Sequence, residues 1–144
     1  MRPLTIAIVG ATGLVGQTFL DVIHQYDIPV NVLRVFASEK SKGRSITFQD
    51  MTVYIETLDG ADLTGIDVAL FSAGAQVSKS YAKTFIDAGA YVIDNSSAFR
   101  MDNDVPLVVP EVNLRDIFGH RLIANPNCST IQSVIPLHAL KSLD

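Results

Sequence analysis

Residues 5–25 hold the feature that most constrains the fold. A short β-rich run, Thr5–Val9, meets Gly10-Ala11-Thr12-Gly13-Leu14-Val15-Gly16, and a helical pattern follows with Phe19, Leu20, Ile23 and His24 on one face. A strand passing through glycines straight into a helix is the context a dinucleotide fingerprint requires. The glycines permit a tight turn and a close backbone approach, and they leave N–H groups at the helix N-terminus for a pyrophosphate. The spacing is GxxGxxG rather than GxGxxG, and a glycine-rich βα turn also occurs as a purely structural device. Its place at the first strand favours the nucleotide.

Strands and helices go on alternating. "VNVLRVF" (30–36) reads as a second strand, and "SITFQD" with "MTVYIE" (45–56) as a hairpin turning at Gln49-Asp50. "IDVALFSA" (66–73) is a near-continuous apolar run, as in strands buried on both faces of a parallel sheet. Residues 76–88 suit a helix ended by Gly89, and "AYVIDNS" (90–96) another strand. The order predicts an α/β fold, a Rossmann-like doubly wound, mostly parallel sheet. From 97 to 127 the chain reads as irregular, punctuated by Pro106, Pro110 and Pro126. A last helix is expected from near Cys128, with Ile131, Val134, Ile135, Leu137 and Leu140 as its apolar positions and Pro136 as a kink or a forced new turn. It stops without a closing strand, which reads as an interrupted protein.

Composition removes several function classes. A length of 144 residues suits one domain, and 48% hydrophobic with 18% charged residues describes a globular chain rather than a disordered one. The net charge of −4 gives no footprint for nucleic acid. No apolar run approaches the roughly 18 residues of a membrane span, and the N-terminus lacks an export signal. One cysteine forms no internal disulfide, so the expected setting is the cytoplasm. No metal site is expected: Cys128 stands alone, and His24, His120 and His138 share no ligand spacing.

Three stretches point to chemistry. After Phe36 the sequence gives Ala37-Ser38-Glu39-Lys40-Ser41-Lys42-Gly43-Arg44. A carboxylate at the end of the second strand takes the ribose 2′-OH of NAD, whereas basic residues there accept the 2′-phosphate of NADP. Hydroxyls and cations around Glu39 favour the phosphate, against the alternative of a solvated basic loop; Glu39 is the discordant residue. "DNSSAFRMDNDVPLVVPEVN" (94–113) is polar just past a strand's end, and its Arg100 either clamps an anionic substrate group or ties the loop down through Asp102 or Asp104. "ANPNCST" (124–130) sets the only cysteine among small polar residues. At a helix N-terminus, orphan N–H groups and the positive end of the dipole favour thiolate, the nucleophilic form.

Taken together, "GATGLVG", "ASEKSKG", "FSAG", "DNSSAFRMDNDVPLVVPEVN" and "ANPNCSTIQ" resemble the aspartate-β-semialdehyde dehydrogenase family over essentially all 144 residues. The resemblance implies NADPH-dependent reductive dephosphorylation of L-aspartyl-4-phosphate in lysine, methionine and threonine biosynthesis. It makes Cys128 the nucleophile of a thioacyl intermediate, and Arg100 and Asn127 the substrate-phosphate contacts. Thr12, Leu14, Val15, Lys40 and Ser41, with the glycines Gly10, Gly13 and Gly16, are the implied NADP contacts. Ser38, Ser72, Ala73, Gly74 and Asn95 join them near the same ligand. Inorganic phosphate is the implied second small molecule, and the full-length protein is implied to be a homo-oligomer.

The family's acid/base histidine, substrate arginine, glutamine and phosphate-contacting lysine come further along, so neither His120 nor His138 is assigned that role. The implied organisation is an NADP-binding domain over 1–144, inactive without a second catalytic and dimerisation domain. Two alternatives stand beside it. One is N-acetyl-γ-glutamyl-phosphate reductase, whose cysteine is typically followed by Tyr-Pro-Thr rather than Ser129-Thr130-Ile131. The other is a non-catalytic NADP-binding module.

Overall fold

A computed structural model of the chain describes residues 2–141. Its centre is the strand β1 (Leu4–Val9), whose alternate residues face opposite ways because the side-chain period of a strand is two. Ile6 and Ile8 join one apolar cluster with Leu20, Ile23, Leu33 and Val35, while Ala7 and Val9 join another with Phe36, Phe71, Phe85 and Val92. Helix α1 (Leu14–Gln25) covers the first face and α2 (Ala75–Asp87) the second, so the sheet is packed on both sides.

The remaining strands are β2 (Val30–Phe36), β3 (Ser45–Phe48), β4 (Met51–Glu56), β5 (Val68–Phe71), β6 (Tyr91–Asp94) and β7 (Leu122–Ala124). They form one seven-stranded sheet in the order β3-β4-β2-β1-β5-β6-β7. Every neighbouring pair is parallel except β3 with β4, in registers such as Ile6↔Val68 and Phe71↔Asp94. The doubly wound, mostly parallel expectation therefore holds. The β3–β4 hairpin turns on Gln49 and Asp50 with φ of 46° and 65°, the left-handed pair a two-residue hairpin loop needs.

Three details differ from the sequence reading. The segment 97–127 is not wholly irregular: it contains the one-turn helix α3 (Pro110–Asn113), a 3-10 turn at Leu114–Ile117 and β7. A three-residue strand has no period to detect, and β7 exists because β6 offers it a parallel edge. His24 is exposed, with Nδ1 3.4 Å from Gln49 Nε2, so it leaves the buried face of α1 to Leu20 and Ile23. Finally, α4 (Cys128–Lys141) continues through Pro136.

Candidate functional site

Because the central strands are parallel, their carboxyl ends share one edge, where Gly10 follows β1, Ala37 follows β2, Thr57 follows β4, Ser72 follows β5, Asn95 follows β6 and Asn125 follows β7. The chain winds outward from β1 through β2 to β4, then returns to lay β5 on the other side of β1. The crevice at such a reversal is where open α/β sheets bind ligands. A cavity of about 500 Å³ lies there, and Gly10, Thr12, Gly13, Ser38, Ser72 and Ala73 all line it.

The glycine loop is built for close approach. Gly10 has φ of +94°, and a Cβ on it would lie 2.8 Å from the Ala73 nitrogen. The loop is pinned by hydrogen bonds from the Gly10 and Ala11 N–H groups to the Phe36 carbonyl, at 2.9 and 3.1 Å. A Cβ on Gly16 would stand 2.7 Å from the Ala11 Cα, so that position is a packing contact beneath the loop. Gly13 is different. Its φ is −80° and a Cβ there would meet only the Gly10 carbonyl, at 3.4 Å, so the fold itself does not demand glycine. Gly13 is the N-cap of α1 and offers no side-chain acceptor, which leaves the first-turn N–H groups, at Leu14 and Val15, available to an anion.

After β2, Ser38 begins the 3-10 turn Glu39–Ser41. Ser38 and Glu39 reach the cavity wall, Lys40 is exposed in the same turn, and Ser41 is buried with its N–H on the Ser38 carbonyl at 2.8 Å. Glu39 also lies 3.5 Å from Lys42. Gly74 is the N-cap of α2, next to Ala73 but outside the wall. Thr57, Leu58 and Asp59, with Val77 and Tyr81 of α2, complete the wall and were missed in the sequence. The signal for the first three was the parallel pairing of β4 with β2, which brings the end of β4 to the same edge.

Beyond β6 lies a second polar constellation. Asn95 is half-buried outside the cavity wall and accepts a 2.6 Å hydrogen bond on Oδ1 from Asn125 Nδ2. Arg100 donates from Nε to the Asn125 carbonyl and from Nη2 to the Asn95 carbonyl, both at 3.0 Å. It is thus tied by carbonyls rather than by Asp102 or Asp104, and Nη1 has no hydrogen bond among the described residues. Asn127 Oδ1 accepts the Ser129 N–H at 3.0 Å, capping α4 and leaving its Nδ2 as a donor. Cys128 opens α4 as an exposed free thiol.

Residues 5–120 match the family model described as semialdehyde dehydrogenase, NAD binding domain. The chain belongs to that family. Aspartate-semialdehyde dehydrogenase of Aquifex aeolicus is 52% identical over 136 residues, which are 92% of this chain and 40% of that protein. Among solved structures, aspartate semialdehyde dehydrogenase II of Vibrio cholerae, complexed with ASA, aligns with a TM-score of 0.89 at 44% identity. The match covers 94% of this chain and 45% of that one. Aspartate semialdehyde dehydrogenase of Candida albicans with NADP aligns at 0.77 and 25% identity, over 94% and 46% of the two chains. The chain thus spans less than half the length of these relatives.

In this semialdehyde dehydrogenase domain one cation near the cavity is already committed. Arg34 of β2 pairs with Glu56 of β4 at 2.6 Å, donates to the Asp62 carbonyl and stacks over Phe36, 5.0 Å from its ring centre. The Glu56 hydrogen bond raises the guanidinium above its ordinary value, against the opposing effect of burial. Arg34 therefore braces the wall at Phe36, with its charge taken up by Glu56. Among the described residues no helix is long and apolar enough to cross a membrane.

Proposed function

We propose that the chain is the NADP-binding domain of an aspartate-semialdehyde dehydrogenase. The whole protein would carry out NADPH-dependent reductive dephosphorylation of L-aspartyl-4-phosphate to L-aspartate-4-semialdehyde. The observation that carries this reading is the shared edge: the glycine-loop cavity and the exposed thiol of Cys128 both stand at carboxyl ends of strands in one sheet. The names of the relatives favour aspartyl phosphate over the N-acetyl-γ-glutamyl substrate.

The donor set fits a dinucleotide. An uncapped α1 accepts the pyrophosphate at Leu14 and Val15, and the open space above Gly13 admits its approach. Ser38, Lys40 and Ser41 are assigned to the 2′-phosphate, with Glu39 in the same wall working against it. Ser72, Ala73, Gly74 and Asn95 are assigned to the cofactor from the β5 and β6 side.

In the reaction the Cys128 thiolate attacks the acyl carbon, the carbon–oxygen bond to phosphate breaks, phosphate leaves, and the acyl group is held on Sγ. Arg100 through Nη1 and Asn127 through Nδ2 hold the phosphate as it departs. A nicotinamide held at this edge would supply hydride to the thioacyl carbon, after which the carbon–sulfur bond breaks, Cys128 leaves as thiolate and the aldehyde is released. Proton transfer and recognition of the substrate carboxylate are assigned to a second, catalytic and dimerisation domain outside these 144 residues. The chain alone then binds NADP without turnover. The whole protein is assigned to the cytoplasm as a homo-oligomer.

The test is made on a full-length protein, by following NADPH appearance from aspartate semialdehyde, phosphate and NADP. Turnover that vanishes in Cys128→Ala, with NADP affinity retained, is the expected result. Undiminished turnover in Cys128→Ala would sink the thioacyl mechanism.

A further inference from the structure

Asp94 ends β6 with its side chain fully buried and no ion pair among the described residues. A buried carboxylate is costly unless its oxygens are satisfied, and here three neutral donors converge on it. Oδ1 accepts the Ser78 hydroxyl of α2 at 2.7 Å and the Ser96 N–H at 3.1 Å, while Oδ2 accepts the Ser96 hydroxyl at 2.7 Å. The Ser96 oxygen in turn accepts the Ala98 N–H at 3.0 Å. The Asp94 carbonyl takes the Asn125 N–H at 2.8 Å. Asn95 and Asn125, joined side chain to side chain, present the two carbonyls that hold Arg100.

One chain of hydrogen bonds therefore runs from α2 through Asp94 to the turn at 95–100 and on to the segment leading into Cys128. Neither Asp94 nor Ser96 lines the nucleotide cavity. We infer that Asp94 is a positioning residue, fixing the 95–100 turn so that the Asn95 and Asn125 carbonyls aim the Arg100 guanidinium at the anion site beside Cys128. The inference rests on the reading of Arg100 as the phosphate clamp and Cys128 as the nucleophile.

The charge that Arg100 would bring to Cys128 is measured by comparing alkylation of the thiol by iodoacetate, an anion, with that by iodoacetamide, its neutral counterpart. The ratio of the two rates cancels general changes in thiol exposure. In the 144-residue chain Arg100→Leu should lower the ratio at least threefold. Asp94→Ala should lower it as far, and Asp94→Asn and Ser96→Ala part of the way, with any loss of NADP affinity smaller than the fall in the ratio, since Asn95 is one of several assigned cofactor contacts. If Asp94→Ala does not fold, Asp94→Asn and Ser96→Ala decide. A fall in Arg100→Leu with no change in the Asp94 and Ser96 variants overturns the positioning role alone. No change in Arg100→Leu overturns the clamp reading and the positioning role with it. NADP affinity falling in step with the ratio makes Asp94 a general support of the fold and overturns the inference.

Discussion

The two ends of the site edge are held by different means. The nucleotide end stands on packed helices: α1 buries Gly16, Leu20 and Ile23, and α2 buries Ser78, Ala82 and Phe85. The thiol end stands on α4, which within these 144 residues buries none of its own and exposes Leu137 and Leu140 at 63% and 58%. The segment leading into it is held instead by hydrogen bonds among Asp94, Asn95, Arg100 and Asn125, and Asn127 caps the helix through the Ser129 N–H. Burial fixes the first place by volume, and directional polar bonds fix the second. Damage to the first should show as lost stability, and damage to the second as misplaced chemistry in a folded chain.

The largest effect should come from the core beneath the cavity. Phe85 is wholly buried and meets Phe71 and Phe36 edge-on, with ring centres 5.2 and 6.0 Å away. Phe85→Ala should cost about 3–5 kcal/mol in denaturant unfolding. Gly10→Ala comes next. Left-handed strain adds to the contact with the Ala73 nitrogen, for a loss of about 2–4 kcal/mol. An unfolding curve for Gly10→Ala that overlays wild type would break the packing account of this end.

How much of this contrast the sequence disclosed follows from the same physics. The packed end was legible because burial on both faces writes continuous apolar runs and glycine turns into the chain, as at 5–16 and 66–73. Ser38 followed from its place at the end of the second strand, whereas Ser72 and Ala73 were implied only by the family resemblance. Thr57, Leu58, Asp59, Val77 and Tyr81 were not found, since they meet only once β4 pairs with β2 and α2 folds over the cavity. At the other end Cys128 and Arg100 stood out by residue type. The carbonyl partners of Arg100 did not, because backbone acceptors carry no sequence label.

Two smaller effects sharpen the comparison. Lys40→Ala should weaken NADP by about 1.5–3 kcal/mol, the range of a charge-assisted hydrogen bond, and leave NAD affinity unchanged. Calorimetric titrations showing equal losses for both nucleotides would remove Lys40 from the 2′-phosphate. Leu140→Ala, on the exposed face of α4, should change unfolding by no more than about 0.5 kcal/mol.

The smallest effect lies at the opposite edge of the sheet. Asp67 pairs with Arg2 at 2.5 Å and accepts the Thr5 N–H at 2.8 Å. These contacts, the Arg2 hydrogen bond first, hold its carboxyl below the ordinary range. A lowered folded value contributes stability above the unfolded carboxyl range, near pH 4, and the contribution is lost as pH falls through the folded value. Wild type and Asp67→Asn should therefore differ in melting temperature at neutral pH and converge below about pH 4. A difference that grows on acidification would reverse the sign of this contribution.

The central claim is that at the packed end Gly13 serves the nucleotide rather than the fold. Calorimetric titration of Gly13→Ala with NADP, beside its thermal melt, tests this most directly. The backbone angle at Gly13 is ordinary and a Cβ there has room, so the melt should stay close to wild type. On the proposed placement of the pyrophosphate the added methyl would stand in its path, so binding should fall at least tenfold, about 1.4 kcal/mol. A Gly13→Ala chain that binds NADP as tightly as wild type, or a wild-type chain that binds no NADP at all, would contradict the account.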